Sequence, residues 1–269
     1  MTIITKIQVQ KHSKERYSIF VDKGAGEEYG FSVDENTLIK HELRKGMELD
    51  ELGLAEILYD EEVRRAYLQA IQYLSRQMRT RHEVIAHLKD KEIGQAIIGE
   101  VVGKLDADGY LNDREYALAY VRTQCNVGMK GPILIRRELQ EKGVDPAVIT
   151  HSLHEYPQEK QIRNAVQLCE KKRKSYSRLS FIQQKQKLEE MLMRKGYDRG
   201  VISICMEELQ EEKDEEQQNE ALLHQAGKYH EKYKKYSGWE YEQKMKTALY
   251  RKGFSLEEIE RFLQDKNIE

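Results

Sequence analysis

The sequence predicts a mainly α-helical protein: tandem three-helix repeats in a curved, elongated array, preceded by a small N-terminal antiparallel β-region. Three observations lead there. Of 269 residues, 34% are charged and 39% apolar, with only 3 prolines, a composition too thin for one deep core and suited to long solvated helical faces. The first 34 residues alternate with period two, whereas the chain after about residue 50 follows helical periodicity. A block of sequence also recurs four times at roughly 50-residue spacing. The expected divisions are 1–60 for the β-meander plus a helix, 61–112, 113–157 and 158–210 for three repeats, and 211–269 for an acidic linker and a fourth repeat.

In the β-region, Ile7 and Val9, then Tyr17, Ile19 and Val21, then Tyr29, Phe31 and Val33 mark three strands separated by polar and glycine-bearing segments. Asp34 reads as the N-cap of a helix carrying Leu38, Ile39 and Leu43, which Gly46 ends. The repeats align on Lys91, Lys142, Lys195 and Lys252, which are 51, 53 and 57 residues apart. Seven residues before them stand Val84, Ile135, Leu188 and Met245. Seven after stand Ile98, Ile149, Ile202 and Ile259, and eleven after stand Val102, Leu153, Met206 and Leu263. Ala70 with Tyr73, Ala117 with Tyr120, Ala165 with Leu168 and Ala226 with Tyr229 place a further pair in each first helix. The tyrosines of these pairs recur at a helical core position and so read as packing residues.

Each unit is written as helix, loop, helix, tight turn, helix. Middle helices start at Thr80, Gly131-Pro132, Ser180 and Ser237, and three of these have a Glu or Gln three residues on, the spacing of a capping box. Gly143, Gly196 and Gly253 follow the aligned lysine and suit a left-handed helix end. Asp145, Asp198 and Ser255 are N-caps for the third helices, with Pro146 at a first helical position. Chain length varies mainly between the first and second helices, in Met78–Arg81, Asn126–Lys130, Lys171–Tyr176 and Lys232–Tyr236, which read as loops on one face of the array.

Several function classes are disfavoured. No run is apolar and long enough for a membrane span, and the N-terminus lacks the pattern of an export signal, so a cytoplasmic protein is expected. Cys125, Cys169 and Cys205 are far apart with no CxxC or Cys/His cluster, and read as buried spectator thiols. No phosphate-binding GxxxxGK[ST], HExxH or GxSxG motif occurs. Neither catalysis, a metal nor a cofactor is expected. The formal net charge of −2 hides segregation: residues 114–206 carry 18 basic and 10 acidic side chains, whereas 207–220 carry 1 and 8. The acidic stretch reads as a solvated helical extension, with a hinge or electrostatic decoy for the basic third unit as the alternative.

Ala70 to Leu74, Arg79-Thr-Arg-His-Glu-Val84 with Leu88, and Leu105-x-x-x-Gly109-Tyr-Leu-Asn-Asp113 followed by Tyr116-Ala and Tyr120-Val together resemble the bacterial RecX regulatory family. Gly131-Pro132, Ile135, Glu138-Leu139 and Lys142-Gly143 continue the likeness, which is strongest over residues 66–153 and stays in register to residue 264. A fourth unit and the β-region resemble the longer members. The resemblance implies a non-enzymatic regulator that binds RecA recombinase filaments on single-stranded DNA and modulates, usually by inhibition, ATP hydrolysis, strand exchange and filament extension. The expected partners are a RecA filament and single-stranded DNA, with the chain acting as a monomer and no membrane involved.

The candidate contacts are basic side chains with one tyrosine: Arg76, Arg79, Arg81, Arg122, Lys130, Arg136, Arg137, Lys171, Lys172, Arg173, Lys174, Tyr176 and Arg178. Such groups can meet DNA phosphates or an acidic protein surface, and Tyr176, Tyr233 and Tyr236 can stack on bases. The competing reading is ordinary solvated helix surface, favoured for a pair such as Arg136-Arg137. The alternative function is a direct single-stranded nucleic-acid binder that acts without RecA.

Overall fold

The N-terminal alternation becomes an antiparallel sheet in a computed structural model, which describes residues 2–210 and 215–266. Strands β1 (Thr2–Gln10), β2 (Ser13–Asp22), β3 (Glu27–Asp34) and β4 (Glu48–Leu49) lie in the order β3-β2-β1-β4. Two residues are too few to show a period, so β4 had no sequence signature. Register shifts between Ile4 and Lys6 and between Ile19 and Phe20 change which side chains face inward. Ile4, Ile19, Val21, Phe31 and Val33 are buried, whereas Val9 and Tyr29 are exposed, a correction to the simple alternation.

The chain forms two compact units, Met1–Tyr116 with Lys142–Val144, and Ala117–Glu141 with Asp145–Glu269. In the first, Asp34 caps α1 (Glu35–Lys40) by accepting from the Asn36 N–H at 3.0 Å. This helix is shorter than predicted. Glu42 turns left-handed at φ 48°, which places Leu43 beyond the helix and in the sheet's core, and Gly46 donates its N–H to the Ile4 carbonyl in the following turn. Helix α2 (Glu51–Leu74) then runs unbroken through residue 60. Its Ile57 packs in the sheet's core, while Val63, Ala66 and Ala70 pack with α3 (Arg81–Asp90) and α4 (Gln95–Ala107) in the core of the first repeat. One helix thus serves two small cores, each built from side chains whose burial contributes about 1.5 to 3 kcal/mol apiece.

The second unit begins in α5 (Asp113–Thr123) and contains α6 (Pro132–Glu141), α7 (Pro146–Leu153), α8 (Gln158–Arg173), α9 (Phe181–Arg194), α10 (Arg199–Gln210), α11 (Glu215–Tyr233), α12 (Gly238–Tyr250) and α13 (Leu256–Lys266). Of the twelve aligned apolar positions all are buried except Leu153, which is half-buried beside the fully buried Ser152. The four aligned alanines are buried at the contacts of the first helices. Asn126 lies in a π-helical turn, Gln124–Gly128, rather than an open loop. Buried polar groups satisfy its irregular backbone: Asn164 donates to the Cys125 carbonyl at 2.7 Å and to the Tyr156 hydroxyl at 3.0 Å, and Tyr197 donates to the Met129 carbonyl at 3.0 Å. Burial raises both phenols' pKa values.

The Lys-Gly pairs join successive repeats. In the first unit, Thr80 and Glu83 form the expected capping box, and the Thr80 hydroxyl also donates to the Lys142 carbonyl at 2.7 Å. Lys142 Nζ meets Glu83 Oε1 at 2.8 Å. Gly143 has φ 74°, and a Cβ there would stand 2.5 Å from His82 Cβ, so both conformation and space call for glycine. In the second unit, the Gly131 N–H donates to the Lys195 carbonyl at 2.7 Å and the Ile133 N–H to the Gly196 carbonyl at 3.0 Å. The Ser180 hydroxyl donates to the Lys252 carbonyl, and a Cβ on Gly253 would lie 2.8 Å from Ser180 Oγ and 2.9 Å from Ile182 Cβ.

The other caps differ in detail. Asp145, Asp198 and Ser255 accept from N–H groups of the third helices as expected. The reciprocal box forms at Ser255 and Glu258, while Ser180 makes only its own half with Gln183 and Ser237 makes no side-chain cap bond. The three cysteines are free and buried, with Cys169 and Cys205 sulfurs 3.9 Å apart. Of the acidic stretch, residues 211–214 lie outside the described residues. Glu207, Glu208, Glu215 and Glu216 are exposed at helix ends, and the last two favour the positive N-terminus of α11.

Candidate functional site

The basic candidates divide by what already holds them. In the first unit, Arg79 lies 4.5 Å over the Tyr73 ring and 3.7 Å from Glu83, and the same ring stacks on His87 at 4.0 Å. Burial and the nearby Lys91 charge lower the His87 pKa. Arg81 reaches Asp106 at 2.5 Å, and its N–H donates to Asp113 at 2.8 Å. Arg76, just past the end of α2, is exposed.

In the second unit, Arg122 grips both carboxylate oxygens of Glu155 on the far side of the repeat, at 2.5 and 2.7 Å. Lys130 is 2.6 Å from Glu138, whose other oxygen accepts from Tyr120 at 2.8 Å. Arg136 donates to Thr150 at 3.1 Å. Arg137 stands 3.7 Å from Glu141 with both side chains mostly solvated, a pair worth a few tenths of a kcal/mol at about the scale of exposed i,i+4 pairs.

The basic run of the third repeat is not a loop. Lys171, Lys172 and Arg173 form the last turn of α8, and Lys174 to Tyr176 continue it as a 3-10 turn. No apolar side chain within the run could have shown this periodicity, and the positive charges suit the negative end of the helix. Lys171, Lys172, Lys174 and Arg178 are exposed, Arg173 is half-buried, and Tyr176 packs on the third repeat's core. Tyr233 similarly ends α11 and packs on the fourth core, with Lys232 5.5 Å over its ring, while Tyr236 lies beneath Lys244 at 4.3 Å. These rings are already in contact with protein.

Between the third and fourth repeats is a cleft of about 640 Å³, lined on one side by Ile182, Gln183, Lys185 and Gln186 and on the other by Tyr250, Arg251, Gly253 and Phe254, with Arg173 nearby. Sequence reading missed Lys185 and Arg251 because neither lies in a charge run. It also passed over Trp239, the sole tryptophan, which is 76% exposed near the start of α12; its place two residues after Ser237, the predicted helix start, was the available signal. Among the described residues no helix is long and apolar enough to cross a membrane, and no group of three His, Cys, Asp or Glu side chains is placed to hold a metal.

Small cores, interlocked Lys-Gly turns and a separate N-terminal sheet define a helical-repeat protein with a charged exterior and a dedicated β-module. The chain belongs to the RecX family of regulatory proteins. The family model for the regulatory protein RecX N-terminal domain matches residues 2–50, and those for the first and second three-helix domains match 66–105 and 112–153. The model for the third three-helix domain matches twice, at 159–206 and 215–263, making the fourth repeat another unit of the third kind. Regulatory protein RecX of Bacillus cytotoxicus is 63% identical over 99% of this chain and 98% of its own length. That of Bacillus mycoides is 63% identical over the full length of both. A crystal structure of regulatory protein RecX covers 77% of this chain and all of its own, with 33% identity and TM-score 0.67. The crystal structure of RecX from Lactobacillus salivarius covers 56% of this chain and 98% of its own, with 34% identity and TM-score 0.53.

Proposed function

We propose that this chain is a cytoplasmic, non-enzymatic regulator that acts as a monomer on RecA filaments formed on single-stranded DNA, where it slows ATP hydrolysis, strand exchange and filament extension. The family's regulatory character supports the role. The observation that carries the site is the contrast among cations: Arg79, Arg81, Arg122 and Lys130 are engaged by carboxylates of the chain itself, whereas Lys171, Lys172, Lys174 and Arg178 project from one repeat as exposed positive charges. Those four can release counterions from a phosphate backbone or meet an acidic filament surface. Several linked repeats then add modest contacts into a firm hold.

The test adds substoichiometric protein to RecA hydrolysing ATP on single-stranded DNA. Hydrolysis should fall, and the triple variant K171E/K172E/K174E should require about tenfold more protein for the same effect. Unchanged hydrolysis and filament length would rule the reading out. The same exposed cations support a second reading, direct binding of single strands without RecA. It requires affinity for DNA alone that falls steeply with salt, with a slope reduced in the triple variant.

A further inference from the structure

We propose that the cleft between the third and fourth repeats receives a base of single-stranded DNA while the basic end of α8 holds the neighbouring phosphates. The inference rests on the reading that the chain contacts single strands, and it adds a pocket for a base to a row of charges. Phosphate contacts position a strand without regard to its bases, whereas a base is held by stacking and by polar groups at its edge. The cleft and the helix end beside it offer one of each.

A volume of about 640 Å³ suits a small organic group rather than a helix. The floor is apolar: Leu188, Met206 and Phe254 are buried there, and Leu209 packs on the third repeat's core. At the lip stand Ile182 and Tyr250, each more than half exposed. Tyr250 makes no ring contact among the described residues, unlike Tyr176, Tyr233 and Tyr236, which already rest against protein. An open tyrosine ring above an apolar floor is a surface on which a base can stack.

The polar lining sorts into spent and unspent groups. Glu258 is the one carboxylate on the cleft among the described residues, and both its oxygens are used: one accepts from the Ser255 N–H at 2.6 Å, the other from Gln218 at 3.0 Å. Gln184 donates to the Leu179 carbonyl at 2.8 Å, and Gln218 also accepts from the Phe181 N–H at 3.0 Å. The side chains of Gln183, Gln186, Lys185 and Arg251 line the same cleft with no partner among the described residues. An amide carries donors and an acceptor, as the edge of a base does, whereas the carboxylates of an acidic peptide only accept. Lys185 and Arg251, both exposed, suit the phosphates flanking that base. Arg173 lines the cleft between its exposed neighbours Lys172 and Lys174, so a strand following the basic run arrives at the cleft.

The test titrates the full chain, by fluorescence anisotropy, with a labelled thymidine oligomer and with an abasic oligomer of equal length. The parent should bind the first about tenfold more tightly. Y250A should bring the two affinities together, Y250F should keep them apart, and K185E/R251E should weaken both. An oligomer carrying 5-iododeoxyuridine should crosslink to Tyr250 on irradiation, as located by mass spectrometry. Equal affinity of the parent for the two oligomers, a base preference that survives Y250A, or crosslinks confined to residues outside the cleft would overturn the proposal. So would a glutamate oligomer that displaces the strand from the parent but not from Y250A, which would assign the cleft to an acidic peptide. Equal binding of both oligomers removes the pocket and leaves the single-strand reading standing. Binding of neither ends both, and the RecA hydrolysis assay judges the regulator separately.

Discussion

The turn that ends the middle helix of the first repeat and the one that ends that of the third share their closing hydrogen bond and have opposite surroundings. Ile93 N–H reaches back to Leu88 and Tyr197 N–H to Leu192, with Glu92 at φ 60° and Gly196 at φ 85° between. Glu92 is exposed, whereas Gly196 is buried against Leu134 and accepts from the Ile133 N–H. The first turn tolerates a side chain because no repeat precedes it. Glycine is thus required by docking at least as much as by dihedral angle. The same contrast separates Ser180, buried under a neighbouring turn, from Ser237, which has no such neighbour among the described residues.

The largest effect should come from reversing this pair of turns. G196A combines left-handed strain with a steric clash and should destabilise the second unit by about 3 kcal/mol or more, while E92G should be neutral or stabilising by up to about 1 kcal/mol. Urea unfolding of the two variants measures the difference, and equal effects would show that docking is not what selects glycine. Next, S180A should cost about 1 to 2 kcal/mol, because it removes a cap and leaves the Lys252 carbonyl short of a donor. S237A should stay within about 0.5 kcal/mol.

The smallest effect concerns pH. Burial opposes ionisation of Glu83 most strongly, yet hydrogen bonds from Lys142 and the Thr80 N–H, with the Lys142 and Arg79 charges, outweigh it and hold its pKa below the ordinary 4.5. A depressed carboxyl pKa contributes stability that is fully present above the unfolded-state value and is lost as pH falls through the folded-state value. The unfolding midpoint of the parent chain should therefore drop more on acidification below about pH 4.5 than that of E83Q. Parallel profiles would show that the lysine of a docked turn adds nothing to the joint.

Much of the repeat was legible because its information is local. An apolar residue seven before or after the aligned lysine marks a core face, and an Asp, Ser or Thr before an apolar run marks a helix start, whatever lies elsewhere in the chain. The basic run at Lys171 was misread as a loop because four consecutive charged residues have no hydrophobic period, although the helix of Ala165 and Cys169 continues through three of them. The strand faces were misassigned where bulges shift the register, since a bulge changes pairing without changing composition. The site was less legible still. Arg122 and Glu155 are 33 residues apart, and nothing near either shows that the arginine is committed.

The sequence by itself determined the β-region, the number and kind of helical units and most of their caps, because hydrophobic period and capping act over a few residues. Tertiary structure alone decided which cations remain exposed, why three of four lysines are followed by glycine, and that Ser237 of the last repeat is exposed where Thr80 and Ser180 are buried. These depend on the approach of segments roughly 60 to 70 residues apart, as between Thr80 and Lys142 or Ser180 and Lys252, and such contacts arise only when neighbouring repeats pack.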